Sequence, residues 1–377
     1  MKKYLCLFIT GILCLSVYCT DVRQVLFGNN YETIKELDEK VFFEEQSDIK
    51  SYVENIEFAD FKIVEHDNMN YFRVFEQIAG DKRFIHVVRG VKPLTDEYIT
   101  EWRNPDKIQS HTYHAYLKQL FYLPEGENPV AILPECMMDA GGYAWENGTD
   151  SKYEMVEIIQ RNGKVKGFLF NQLVDKIDHH SRAEQGGKQT EEYQNTAKYY
   201  LFDDVLKNAT KESGKIKYVN RYSAIPYVAI EASQPLVDSK RPFMYTLQNA
   251  FDGNPATAYV ENTINDYVGI EFEFQSDRVI KEIHLINGYS ASEKLYFDNN
   301  QIKKIELYGL YEKLDILENN ELKQVLSFQT INLKDNSTLA YLYVSSGNEL
   351  YKGYKYSDTC LAEIDLIDNL DNSFLGE

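Results

Sequence analysis

A chain of 377 residues with 44% hydrophobic content is long enough to bury more than one core, and it is read as two domains. Its formal net charge of -19 repels phosphate backbones and anionic lipid, which argues against nucleic acid as a partner. The 29 Tyr and 20 Phe, against 2 Trp, supply flat amphipathic faces to strands and to sugar rings, with most of them expected in the core.

Residues 1–19 open with Met1-Lys-Lys and continue in a short apolar run, the layout of a secretory signal and too short for a comfortable membrane span. Cleavage after Ser16 and lipidation of Cys19 are alternative ends for this leader, with Tyr18 standing where a lipobox has a small residue. The expectation is an exported protein, secreted, periplasmic or a surface lipoprotein, touching a membrane only through a lipidated Cys19. Beyond the leader only Cys136 and Cys360 remain, one in each proposed domain, and they are read either as a bridge or as buried thiols.

Residues 20–220 read as a β-rich α+β domain of unassigned type. Strand-like runs occupy 40–44, 60–65 and 83–88, and Asn162-Gly163 between apolar runs is a hairpin turn, because both central positions need positive φ. Tyr113, Leu117, Leu120 and Phe121 recur at helical spacing, with a strand reading open beside it. Residues 179–191 are polar and contain a Gly pair, an exposed loop from which Thr190 would cap a helix over 198–207. His111 and His114 have no acidic or Cys partner at zinc spacing, and Pro134-Glu-Cys-Met-Met-Asp139 matches no nucleophile turn, so no catalytic residue is assigned. A secreted enzyme with its active site in this part, targeted by the other, is the alternative to a non-catalytic binding protein.

The boundary is placed near Lys211–Lys217. Beyond it come strand runs at 268–274, 279–286, 302–308, 324–333 and 339–344, which argue for a sandwich or jelly roll over 221–377. Calcium takes hard oxygen ligands from a turn that folds carbonyls inward. Asp252-Gly-Asn-Pro-Ala-Thr257 is such a turn, offering the Asp252 carboxylate, the Asn254 carbonyl and the Thr257 oxygen, with Glu363 from the last strand to complete the shell; the competing reading is an ordinary turn and a solvated acid.

From about Tyr222 to Asp368 the chain resembles the discoidin or coagulation-factor type C superfamily, and more particularly the glycan-binding translocation domain of secreted bacterial NAD glycohydrolases. The resemblance is carried by Asn249-Ala-Phe-Asp-Gly-Asn-Pro-Ala-Thr-Ala-Tyr259, Ile286-Asn-Gly-Tyr289, Asn299-Asn-Gln-Ile-Lys-Lys-Ile305, Ile331-Asn-Leu-Lys-Asp335 and Lys355-Tyr-Ser-Asp-Thr-Cys-Leu-Ala-Glu-Ile364. It implies a jelly-roll fold, a structural cation, and binding of glycan or cell-envelope polysaccharide at the loops of one end. It does not imply NADase activity, since only the accessory domain matches. On such loops Tyr259, Tyr289 and Tyr296 would face the apolar side of a pyranose, with Asn287, Asn299 and Asn300 for its hydroxyls.

Overall fold

The computed structural model describes residues 34–54, 71–90, 114–141, 152–175, 193–211, 215–219, 225–238, 243–263, 265–315, 328–347 and 349–368. The leader with Cys19, His111, the 179–191 loop and the run at 60–65 lie outside the described residues. Among those described, no helix is long and apolar enough to cross a membrane.

The first part contains β1 (Ile34–Glu36), α1 (Glu39–Glu45), α2 (Ser47–Glu54), β2 (Tyr71–Ala79), β3 (Lys82–Gly90), β4 (His114–Tyr122), β5 (Val130–Gly141), β6 (Lys152–Arg161), β7 (Lys164–Asp175), β8 (Tyr193–Leu201), α3 (Phe202–Lys207), β9 (Ala209–Lys211) and β10 (Lys217–Val219). β1 to β8 pair in chain order as an antiparallel meander. The sheet is apolar on both faces. Ile85, Phe121 and Ala131 pack with Phe42, Phe43, Ile49 and Val53 of α1 and α2, whereas Phe84, Leu120 and Ile132 pack with Phe168, Phe202 and Val205 on the other side.

That double burial explains two departures from the sequence reading. Leu120 and Phe121 are both buried because each face of β4 meets a core, so the strand carries no polar alternation and imitates helical spacing. Conversely 40–44 is not a strand: Asp38 accepts from the backbone N–H of Lys40 (3.1 Å) and Val41 (3.3 Å), capping α1 as a helix. The helix expected over 198–207 is likewise strand β8 up to Leu201, held between two neighbours, and helix only from Phe202. The Asn162-Gly163 turn is present as expected, with φ of 51° and 69° between the paired residues Arg161 and Lys164. Lys211 and Lys217, the two ends of the expected boundary, pair with each other across β9 and β10.

The second part holds β11 (Val228–Ala232), a 3-10 turn (Leu247–Ala250), β12 (Tyr259–Val260), β13 (Gly269–Asn287), α4 (Glu293–Asp298), β14 (Gln301–Ile302), β15 (Glu306–Tyr308), β16 (Phe328–Ser345), β17 (Leu350–Tyr351) and β18 (Cys360–Asp368). The runs at 268–274 and 279–286 fall in one strand of 19 residues, and the described residues of the two runs between 324 and 344 fall in one of 18 residues. Of the two, β13 changes partner along its length. Before the irregularity at Glu273/Arg278, β13 pairs with β11; after it, with β18, while β16 follows alongside throughout. The run at 302–308 divides, β14 pairing with β17 and β15 with β16.

The two parts share a sheet. β8 pairs with β11 from Val228↔Tyr199 to Ala232↔Asn195, and Ile159, Leu169, Ala197 and Tyr199 join Leu247, Phe251 and Phe272 in one core. Polar groups sealed in the seam are hydrogen-bonded: Asn195 Oδ1 accepts from Leu247 N (2.6 Å), Asn195 Nδ2 donates to Asn171 Oδ1 (2.6 Å), and Asn171 Nδ2 donates to Thr246 Oγ1 (3.2 Å).

Candidate functional site

The acidic turn follows the 3-10 segment. Gly253 has φ of +72°, a conformation that favours glycine, and it lets the backbone reverse so that Asn254 N donates to Asp252 Oδ1 (2.8 Å). Thr257 Oγ1 lies 2.8 Å from both Asp252 Oδ2 and the Asn254 carbonyl. Glu363 on β18 stands beside this turn, its carboxyl next to that of Asp252 and to the Gly253 backbone. Glu363 Oε1 is buried without a hydrogen-bond partner. Burial, and then the neighbouring Asp252, push the Glu363 carboxyl up to about 8, against the opposing pull of Arg161. Asp252, Asn254 and Thr257 are joined by hydrogen bonds within the turn, and Glu363 stands beside Asp252 and Gly253. Among the described residues no group of three or more His, Cys, Asp or Glu side chains is placed to hold a metal, so this turn offers two carboxylates with neutral oxygens beside them.

The residues expected to contact sugar are placed otherwise. Tyr259 and Tyr296 are 0% exposed. Tyr259 lies in the core with its hydroxyl against Ser233, and Tyr296 packs edge-on to Phe297 at 5.2 Å. Asn287 is buried as well and imitates a strand partner for Ile302, donating to its carbonyl (2.7 Å) and accepting from its N–H (3.0 Å). Asn299 closes α4 by donating to the Leu295 carbonyl at 2.8 Å. Asn300, also buried, donates to the Ser357 carbonyl and accepts from Gly353 N (2.9 Å). Tyr289 is half-buried, edge-on to Tyr245 at 6.4 Å and against the cluster of Ala258, Val260 and Cys360. These side chains pack, cap and bridge; none but Tyr289 meets solvent to any extent. Cys360 carries a free thiol in the interior, and burial pushes it far up.

Asn300 holds a loop whose aromatic residues were not among the expected sugar contacts. Tyr354 is 84% exposed and Tyr356 41% exposed. The Tyr354 ring lies over that of Phe297 at 6.1 Å and 26°, and the Lys355 ammonium sits 4.5 Å from the centre of the Tyr356 ring. The backbone beneath them is tied to the end of α4: Tyr354 N donates to Phe297 O (2.8 Å), Lys355 N to Asp298 O (3.0 Å) and Tyr356 N to Asp298 O (2.7 Å). Gly353 permits the approach, since a Cβ there would fall 2.4 Å from the Asn299 carbonyl carbon. Close by, Asp358 is held above the usual carboxylate range by burial and then by Asp266. The Lys352-Gly-Tyr-Lys-Tyr-Ser357 segment, polar yet rich in tyrosine just ahead of an apolar strand, was the signal available in the sequence.

Residues 221–367 match the family described as the NAD glycohydrolase translocation F5/8 type C domain. No curated protein matches the chain. Among solved structures, the chain is similar to CpGH89CBM32-5 from Clostridium perfringens in complex with GalNAc-β-1,3-galactose, at 14% identity and a TM-score of 0.29, over 37% of this chain and 94% of that one. It is also similar to the family 32 CBM of C. perfringens NanJ in complex with galactose, at 12% identity and a TM-score of 0.28, over 37% and 93% of the two chains. A putative chitobiase fragment from Bacteroides thetaiotaomicron matches at 10% identity with a TM-score of 0.28, over 34% and 78%. Taken with the long shared strands and the acidic turn, the family match identifies the C-terminal part of this chain, residues 221–367, as a discoidin-like domain of the NAD glycohydrolase translocation type.

Proposed function

We propose that the C-terminal domain binds carbohydrate, and that the face of Tyr354, backed by Phe297, is where a pyranose ring stacks. The observation that carries this reading is a tyrosine 84% exposed on a backbone that is hydrogen-bonded at residue after residue. A platform fixed before binding loses little entropy when a ring settles on it. Lys355, Ser357 and Asp358 around it supply donors and acceptors for hydroxyls. The role is that of an exported, non-catalytic protein, in which the N-terminal part serves as the attachment to an envelope component or partner.

The acidic turn suits a calcium ion. Two carboxyl groups sharing one partly buried site, one of them with an orphaned oxygen, are better satisfied by a divalent cation than by each other. Asp252, the Asn254 carbonyl, Thr257 and Glu363 would hold it. The ion would staple the turn to the closing strand, a structural task remote from any reaction.

The test is binding of the full chain to a glycan array, followed by titration of a positive sugar into the wild type and Tyr354→Ala. Loss of the stacking contact, worth on the order of 1 kcal/mol by analogy with aromatic pairs, should weaken binding several-fold without moving the melting temperature. A wild-type chain that retains no glycan removes the reading.

A further inference from the structure

The turn that gathers Asp252 and Glu363 is not completed by its own domain. The tip of the β6–β7 hairpin, from the N-terminal sheet, reaches it with Arg161. The guanidinium donates from Nη2 to the Phe251 carbonyl (3.3 Å) and lies along Gly253 so closely that a Cβ on that glycine would fall 2.5 Å from Nη1 and 3.4 Å from Cζ. Gly253 thus serves twice, giving the turn its left-handed backbone and leaving the space that the guanidinium fills. The hairpin tip is itself backed by a second turn: a Cβ at Gly80 would fall 2.2 Å from the Gly163 carbonyl oxygen. Three turns from separate parts of the chain are therefore stacked, with the Arg161 guanidinium lying against Gly253, next to Asp252.

We propose that Arg161 is the resident counter-charge of the Asp252–Glu363 pair and that it opposes a divalent cation at the same turn, so that cation binding and docking of the β6–β7 tip are antagonistic. This rests on the cation reading above. Arg161 brings a positive charge to the site. With the guanidinium lying against Gly253, next to Asp252, a divalent ion held by Asp252 and Glu363 would meet that charge in a partly buried site, where repulsion is screened less than in water. Because linkage is reciprocal, whatever Arg161 costs the ion, the ion costs the contact between Arg161 and the turn. The consequence is a seam between the two parts of the chain that loosens at its edge in high calcium and tightens in its absence, while the β8–β11 pairing stays in place.

Calcium titrations by calorimetry on the full chain, as wild type, Arg161→Gln and Arg161→Lys, test this. Removing the charge in Arg161→Gln should tighten calcium binding by about tenfold, and Arg161→Lys, which keeps the charge, should stay near wild type. In the wild type, saturating calcium should also raise amide hydrogen exchange at 160–164, a readout that needs no variant to fold. Equal calcium affinity in wild type and Arg161→Gln, or slower exchange at 160–164 with calcium, overturns the antagonism while leaving the cation reading intact. Absence of calcium binding in all three proteins overturns both.

Discussion

Asn195→Ala should be among the more damaging single changes in this protein, because the amide joins the two parts of the chain with no solvent nearby. Asn195 is 0% exposed; its Oδ1 accepts from Leu247 N at 2.6 Å, and its Nδ2 donates to Asn171 Oδ1 at 2.6 Å and to the Gln172 carbonyl at 2.9 Å. Truncation leaves the Leu247 N–H and the Asn171 oxygen each short of a partner inside the seam. An unsatisfied buried group costs about 1–3 kcal/mol, so the pair together with the small void predicts a loss of roughly 3–5 kcal/mol. Asn195→Asp should be no better. It keeps an acceptor for Leu247 N but turns a carboxylate oxygen toward the Asn171 oxygen and the Gln172 carbonyl. The assay is urea unfolding of the full chain, followed by far-ultraviolet circular dichroism and by tyrosine fluorescence. If Asn195→Ala costs less than about 1 kcal/mol, the seam is not the sealed, cooperative contact that its hydrogen bonds describe.

Three further outcomes follow from the same geometry. A fragment of residues 193–377, which retains β8 against β11, should unfold at higher denaturant than one of 221–377, which exposes the β11 edge and the face covered by Tyr199; equal midpoints would show the sheet junction to be dispensable. In chelator, the raised Glu363 carboxyl means that the folded state holds a proton the unfolded chain releases, so its share of stability is complete below about 4.5 and is lost as pH rises to about 8. Comparing the pH slope of wild type with that of Glu363→Gln checks this, and parallel slopes would count against it. Finally, Gly80→Ala should destabilise by about 1–3 kcal/mol, since the residue has φ of +58° and a methyl there meets the Gly163 carbonyl; thermal unfolding near wild type would show that the two turns are free to part.

Local chemistry accounts for what was legible in the sequence. The Asn162-Gly163 turn announces itself because two adjacent residues must adopt positive φ, and the Asp252 turn because a glycine, a proline and short oxygen-bearing side chains sit within a few residues. Glu363 was joined to that turn from about a hundred residues away as an acid on the last apolar strand, and in the structure its carboxyl stands beside that of Asp252. Burial was not legible. Tyr259, Tyr296 and Asn287 have the composition of a sugar site and were placed on loops, but whether an aromatic packs or projects depends on which strand crosses over it, and here β13, β18 and β14 close around all three. Tyr354 was overlooked for the converse reason, since its exposure arises from hydrogen bonds made by Phe297, Asp298 and Asn300 some fifty residues earlier. The same applies to Arg161, an unremarked neighbour of a hairpin turn in sequence, which tertiary packing alone carries to the acidic turn ninety residues on. Turn geometry is decided by two or three consecutive residues; the company a side chain keeps is decided by distances that only the folded sheet sets.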